Sequence, residues 1–91
     1  LNWSKMQEEH EICASQIILA RAALRLSIRE LSVSTGISMS SLKRYELADS
    51  VPSTTKGHLA LLKSFFEACG IEFVGEPDDG PGIRIWDRAS G

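Results

Sequence analysis

Apolar residues recur at helical spacing through most of the chain and at alternating spacing near its end, with the switch at Gly70. Ile17, Ala20, Ala23 and Leu24 fall three or four positions apart, with Arg21 and Arg25 on a neighbouring face. This pattern predicts a first helix from about Ser15 to Leu26. Ser27 ends it and opens a second. With Glu30 three positions on, Ser27 forms a capping box: the hydroxyl takes an orphan N–H of the first turn and the carboxylate reaches back. Leu31 is then set for the core, and the segment stops at Gly36, where positive φ is expected. Ser38 offers a second N-cap, and Leu42 and Tyr45 share one face of a third helix. Two short helices joined through Gly match the spacing of a helix-turn-helix, whose second helix enters the DNA major groove. An ordinary helical hairpin has the same spacing.

Beyond the third helix, Asp49 to Ser53 is a turn cluster in which Pro52 blocks continuation. Ser53, Thr54 or Thr55 is set to cap a helix running to about Cys69. Its apolar set is Leu59, Leu62, Phe65 and Phe66, with Leu61 and Ala68 near the edge, and Gly70 stops it. His58 reads as a surface or capping residue. Ile71–Val74 and Ile83–Trp86 alternate apolar and charged residues and are strand candidates, with Gly75–Gly82 (GEPDDGPG) as the connecting loop. A lone two-stranded ribbon is marginal in water. It must pack on its own helices or pair with a second copy, and a dimer through Ile71, Phe73, Val74, Ile83, Ile85 and Trp86 is the favoured expectation. Residues 1–14 are polar and acidic around Trp3, Met6 and Ile12, and form either an arm or a short helix capped by Ser4 and Gln7. The expected fold is mainly α: four or five helices, with a DNA-binding unit over residues 15–70 and a C-terminal hairpin and tail over residues 71–91.

The length of 91 residues suits one domain, and 43% hydrophobic with 24% charged residues is the balance of a soluble globule. No apolar run approaches the ~20 residues of a membrane span. Cys13 and Cys69 match no metal spacing and read as reduced, small apolar residues, with a disulfide as the alternative. The net charge of −2 looks wrong for a nucleic-acid partner until its distribution is considered. Residues 21–63 carry Arg21, Arg25, Arg29, Lys43, Arg44, Lys56 and Lys63 against Glu30, Glu46 and Asp49, a net +4. The flanks are negative, at −2 before and −4 after. The positive charge therefore coincides with the paired helices, as attraction to phosphates requires. There is no Ser/His/Asp or Cys/His set in plausible context, no paired-carboxylate spacing beyond that of surface helices and no Gly-rich phosphate loop. The loop GEPDDGPG lacks the ligand register of a calcium site. No catalysis, cofactor or metal is expected.

The stretch from about Ser15 to Val74, carried by QIILARAALRLSIRELSVSTGISMSSLKRYE and VPSTTKGHLALLKSFFEACGIEF, resembles the XRE-type helix-turn-helix regulators, the group containing phage repressors and Cro proteins. Gly70-Ile71-Glu72-Phe73 and Pro81-Gly82-Ile83-Arg84 resemble the closing strands of small bacterial members. The resemblance implies a lambda-repressor-like domain that binds palindromic operators as a homodimer. It implies base reading by Ser38, Met39, Ser40 and Ser41 at the start of the recognition helix and by Lys43 and Arg44 on its outer side. Leu42 and Tyr45 then anchor the helix inward, and Ser27, Arg29 and Lys56 meet phosphates. Chemically, Arg44 or Lys43 suits guanine O6 and N7, Ser40 either kind of base, and Met39 a thymine methyl. Ile28 and Met39 stand where many relatives carry Gln, and Leu47-Ala48-Asp49 replaces the usual Gly after the recognition helix.

The expectation is a cytoplasmic, nucleoid-associated transcriptional regulator, a repressor bound to double-stranded DNA. The alternative is a protein-interaction module of the same fold, such as an antitoxin or antiactivator, with weak or no DNA binding.

Overall fold

The computed structural model describes residues 11–86. Over them the chain forms α1 (Ala14–Ala23), α2 (Ile28–Thr35), α3 (Met39–Glu46) and α4 (His58–Ala68), then β1 (Ile71–Glu76) and β2 (Asp79–Ile85). Trp3, Met6, the arm or short helix proposed around Ser4 and Gln7, and the tail after Trp86 lie outside the described residues.

Local chemistry sets each helix end. The Gln16 carboxamide oxygen accepts the Cys13 N–H at 3.0 Å at the start of α1. At its end Arg25 stands at φ 57, and the Arg25 and Leu26 amides donate to the Ala22 and Arg21 carbonyls at 3.0 and 3.1 Å. This double closure of the last turn usually employs glycine. The α2 capping box forms as expected: Ser27 Oγ accepts the Glu30 amide at 3.0 Å, and Glu30 Oε1 accepts the Ser27 amide at 2.8 Å. Gly36 ends α2 at φ 78, and Ser38 caps α3 by accepting the Ser41 amide at 3.2 Å.

Two boundaries differ from the sequence expectation. No Ser or Thr side chain caps α4; it starts at His58 behind Gly57, at φ 87. The Thr55 amide, a group such a cap would help organise, donates instead to the Tyr45 hydroxyl at 3.2 Å. The ribbon also runs through most of the expected loop. The strands pair antiparallel with Ile71 opposite Ile85 and Phe73 opposite Ile83, and the ladder resumes at Glu76–Asp79 after an irregularity at Gly75. Only Pro77 and Asp78 remain as the turn.

Ile12, Ile17, Ala20, Leu31, Ile37, Leu42, Tyr45, Leu62, Phe66 and Ile71 make the core. Phe65, Phe73 and Ile83 pack against it, and Phe73 meets Phe66 edge-on with ring centroids 6.1 Å apart. The ribbon is fastened to α1 by Gln16, whose Nε2 donates to the Val74 and Gly82 carbonyls at 2.9 and 3.0 Å. Cys13 and Cys69 are free thiols at helix ends. Among the described residues no helix is long and apolar enough to cross a membrane.

The expected four helices and C-terminal hairpin form, but the expectation of a mainly α, lambda-repressor-like class is overturned. Among the described residues, 49% are helical and 17% lie in strands, so four helices and a two-stranded antiparallel sheet make a mixed α/β globule. The physical reason lies in the ribbon. Its backbone ladder runs on past Val74 nearly to the Pro77-Asp78 turn, and its inner face completes the core.

Candidate nucleic-acid interface

The arrangement of α2 and α3 is built from short polar contacts around their turn. Ser32 Oγ donates to the Ile37 carbonyl at 2.6 Å. Thr35 Oγ1 donates to the Leu31 carbonyl at 2.8 Å and accepts the Ile37 amide at 3.2 Å. Together with Gly36 these bonds hold Ser38 where α3 can start.

On α3, Leu42 and Tyr45 are both 0% exposed, so the opposite side must face solvent. Met39, Ser40, Lys43 and Arg44 lie there, all exposed. The Arg44 guanidinium sits 5.4 Å over the Tyr45 ring, a cation–π contact that restrains its direction without burying it. Ser38 and Ser41 are less free than the sequence reading assumes. The Ser38 hydroxyl accepts the Ser41 amide and donates to the Ser41 hydroxyl at 2.9 Å, and Ser41 is half-buried. These two residues cap the helix, which leaves Met39, Ser40, Lys43 and Arg44 as the open side chains.

The tilt of α3 is fixed from two directions. Arg21 on α1 grips Glu46 with a fork, Nε to Oε2 at 2.7 Å and Nη2 to Oε1 at 2.9 Å, and its Nη1 donates to the Leu26 carbonyl at 3.0 Å. The hydrogen bond to Glu46 raises the guanidinium pKa further, partial burial notwithstanding. Arg21 is therefore an internal strut and not a cation offered to a ligand. From the other side, the Tyr45 hydroxyl lies 2.8 Å from His58 Nδ1 and accepts the Thr55 amide. Burial works to raise the phenol's pKa, but the Thr55 amide, the Thr55 and Ser41 side chains and the Arg44 charge outweigh it and set the value below normal. His58, expected at the surface or as a cap, is thus a packing partner of α3.

Ser27 and Arg29 are exposed at the start of α2, although the Ser27 hydroxyl is engaged in its capping box. Lys56 is exposed in the turn before α4. Arg25, Arg29, Lys43, Arg44 and Lys56 have no carboxylate within ion-pair distance among the described residues, whereas Arg21 and Lys63 are paired with Glu46 and Glu67. On the other side, Glu11, Glu67, Glu72 and Glu76 line one cleft with Lys63. Among the described residues no group of three or more His, Cys, Asp or Glu side chains is placed to hold a metal.

The expected dimer residues divide into two groups. Ile71 is 2% exposed and Phe73 and Ile83 pack on the protomer's own core, so these three do not form a free surface. Val74 is half-buried beside the Gln16 contact. Ile85 and Trp86, at 62% and 57%, remain open.

No protein-family model, curated protein or solved structure matches the chain.

Proposed function

We propose that the protein is a sequence-specific double-stranded-DNA-binding transcriptional regulator of the helix-turn-helix type. In this reading it is a cytoplasmic repressor that binds a palindromic operator as a homodimer, with α3 in the major groove. The observation that carries this reading is the two-sidedness of α3: Leu42 and Tyr45 are fully buried, while Met39, Ser40, Lys43 and Arg44 project outward. These four side chains suit the groove: paired donors for guanine, a hydroxyl for either kind of base and a thioether for a thymine methyl. Exposed Arg29 and Lys56, with the start of α2 at Ser27, flank them as phosphate partners.

A second reading keeps the fold but assigns the face to a protein partner, as in an antitoxin or antiactivator. It is favoured by the apolar cleft between Ile18, Ile28 and Leu47 beside Lys43, with Leu47 83% exposed. Selection of bound sites from random duplex DNA, followed by a salt titration on the selected duplex, separates the two. The regulator yields a two-fold-symmetric site, and its affinity falls steeply with salt as phosphate contacts release counterions. A failure to enrich any site, with a protein complex insensitive to salt, supports the second reading.

A further inference from the structure

The chain from Thr55 to His58 is folded around one atom, the Tyr45 hydroxyl oxygen. The Thr55 amide donates to it at 3.2 Å, His58 Nδ1 lies 2.8 Å away, and the His58 amide donates to the Thr55 carbonyl at 2.9 Å. The phenol oxygen can accept two hydrogen bonds and donate one, so it bonds the Thr55 amide and His58 Nδ1 together with either imidazole tautomer. Between the two contacts sits Lys56, exposed, followed by Gly57 in the left-handed region. Arg44 packs over the same Tyr45 ring and lines a cleft with Pro52, Ser53, Thr54 and Thr55. The phenol thus ties the turn that carries Lys56 to the helix that carries Arg44.

We infer that His58 is a positioning residue for nucleic-acid binding: through Tyr45 it holds Lys56 in register with α3, so that one duplex backbone meets Lys56 while the groove meets Arg44. This rests on the regulator reading above. His58 touches no ligand. Without His58 the phenol loses one of the two contacts that close the turn, and Lys56 is released from its place beside α3.

The test is a double-mutant cycle read through salt dependence. Affinity of the full chain for its selected duplex is measured across a salt series at one fixed pH. Lys56→Ala removes one phosphate contact and lowers the slope of log affinity against log salt by about 1, roughly a fourfold smaller loss between 50 and 200 mM. His58→Ala lowers the slope equally although it removes no cation, and the double variant is no lower than Lys56→Ala alone. His58→Asn, whose carboxamide oxygen stands near the place of Nδ1, keeps the wild-type slope. Should His58→Ala fail to fold, Tyr45→Phe cuts the same bond from the other side, together with the Thr55 contact, and carries the same expected slope. An unchanged slope in Lys56→Ala or in His58→Ala, or losses that add in the double variant, overturns the inference and leaves the regulator reading standing. A wild-type chain that binds no duplex overturns both.

Discussion

The buried carboxamide of Gln16 meets three backbone groups at once: the Cys13 amide and the Val74 and Gly82 carbonyls. It is 2% exposed, the one buried polar or charged residue among the described residues. Gln16→Ala removes all three of these hydrogen bonds, each worth about 0.5–1.5 kcal/mol net. Chemical denaturation of the variant is expected to show about 2–4 kcal/mol less stability, and a change under 1 kcal/mol would mean that water serves those groups. Gln16→Glu keeps the shape but sets carboxylate oxygens against two carbonyls. The fold then raises that carboxyl's pKa, so the variant is most stable in acid and loses stability as pH rises through the carboxylate range. Arg44 is the opposite case, an open side chain with its direction restrained by the Tyr45 ring. If it pairs with a guanine, Arg44→Ala costs about 1–3 kcal/mol in operator binding and relaxes preference at one base pair. A gel-shift titration that gives equal affinity for both proteins removes Arg44 from the reading set.

Between helices the decisive features are the caps and the struts. Arg25 closes α1 in the left-handed region at φ 57, a conformation costly for a side chain with a Cβ. Arg25→Gly relieves that strain at some entropic cost in the unfolded chain, so a net gain of about 0.5–1 kcal/mol is expected in thermal melts. A loss would show that the exposed Arg25 stem contributes packing. Features of this local kind were the legible ones. Ser27 with Glu30, Gly36 and Ser38 each act within one turn, so residue type and spacing alone locate the ends of α2 and the start of α3. Contacts between distant elements were not. Nothing near His58 in the chain announces a bond to Tyr45, and Gln16 finds its carbonyls on strands far along the sequence. The start of α4 departs from the sequence expectation for the same reason, because Tyr45 captures the Thr55 amide. In the ribbon, GEPDDGPG holds more turn-forming residues than one turn uses. Gly75, whose missing Cβ would come within 2.1 Å of the Gly80 carbonyl oxygen, absorbs the irregularity and lets the ladder continue.

At the scale of the molecule, the cations with no ion-pair partner among the described residues lie just after α1, on α2 and α3 and in the turn before α4, while Glu67, Glu72, Glu76, Asp78 and Asp79 lie at the end of α4 and on the ribbon. The same division leaves the ribbon as the place where two protomers could meet without covering α3. Among the described residues no further strand pairs with either edge of its two-stranded sheet, and Ile85 and Trp86 are open at its end. On the outer face Glu72 accepts from Arg84 and from the Trp86 indole, a polar patch that a second copy can mirror about a two-fold axis. Phe73 is a poor site for testing this, since a charge there would break the contact with Phe66 and unfold the protomer. Ile85 is the clean site. Sedimentation should find the wild-type chain at dimer mass and Ile85→Glu at monomer mass, with the monomer's own melting little changed because the side chain is already 62% exposed. Binding to a full palindrome should weaken sharply while binding to an isolated half-site holds, because each site is then occupied without help from its neighbour. Equal masses for the two proteins would exclude the ribbon as the dimer contact. A lower mass with unchanged palindrome affinity would separate assembly from DNA recognition.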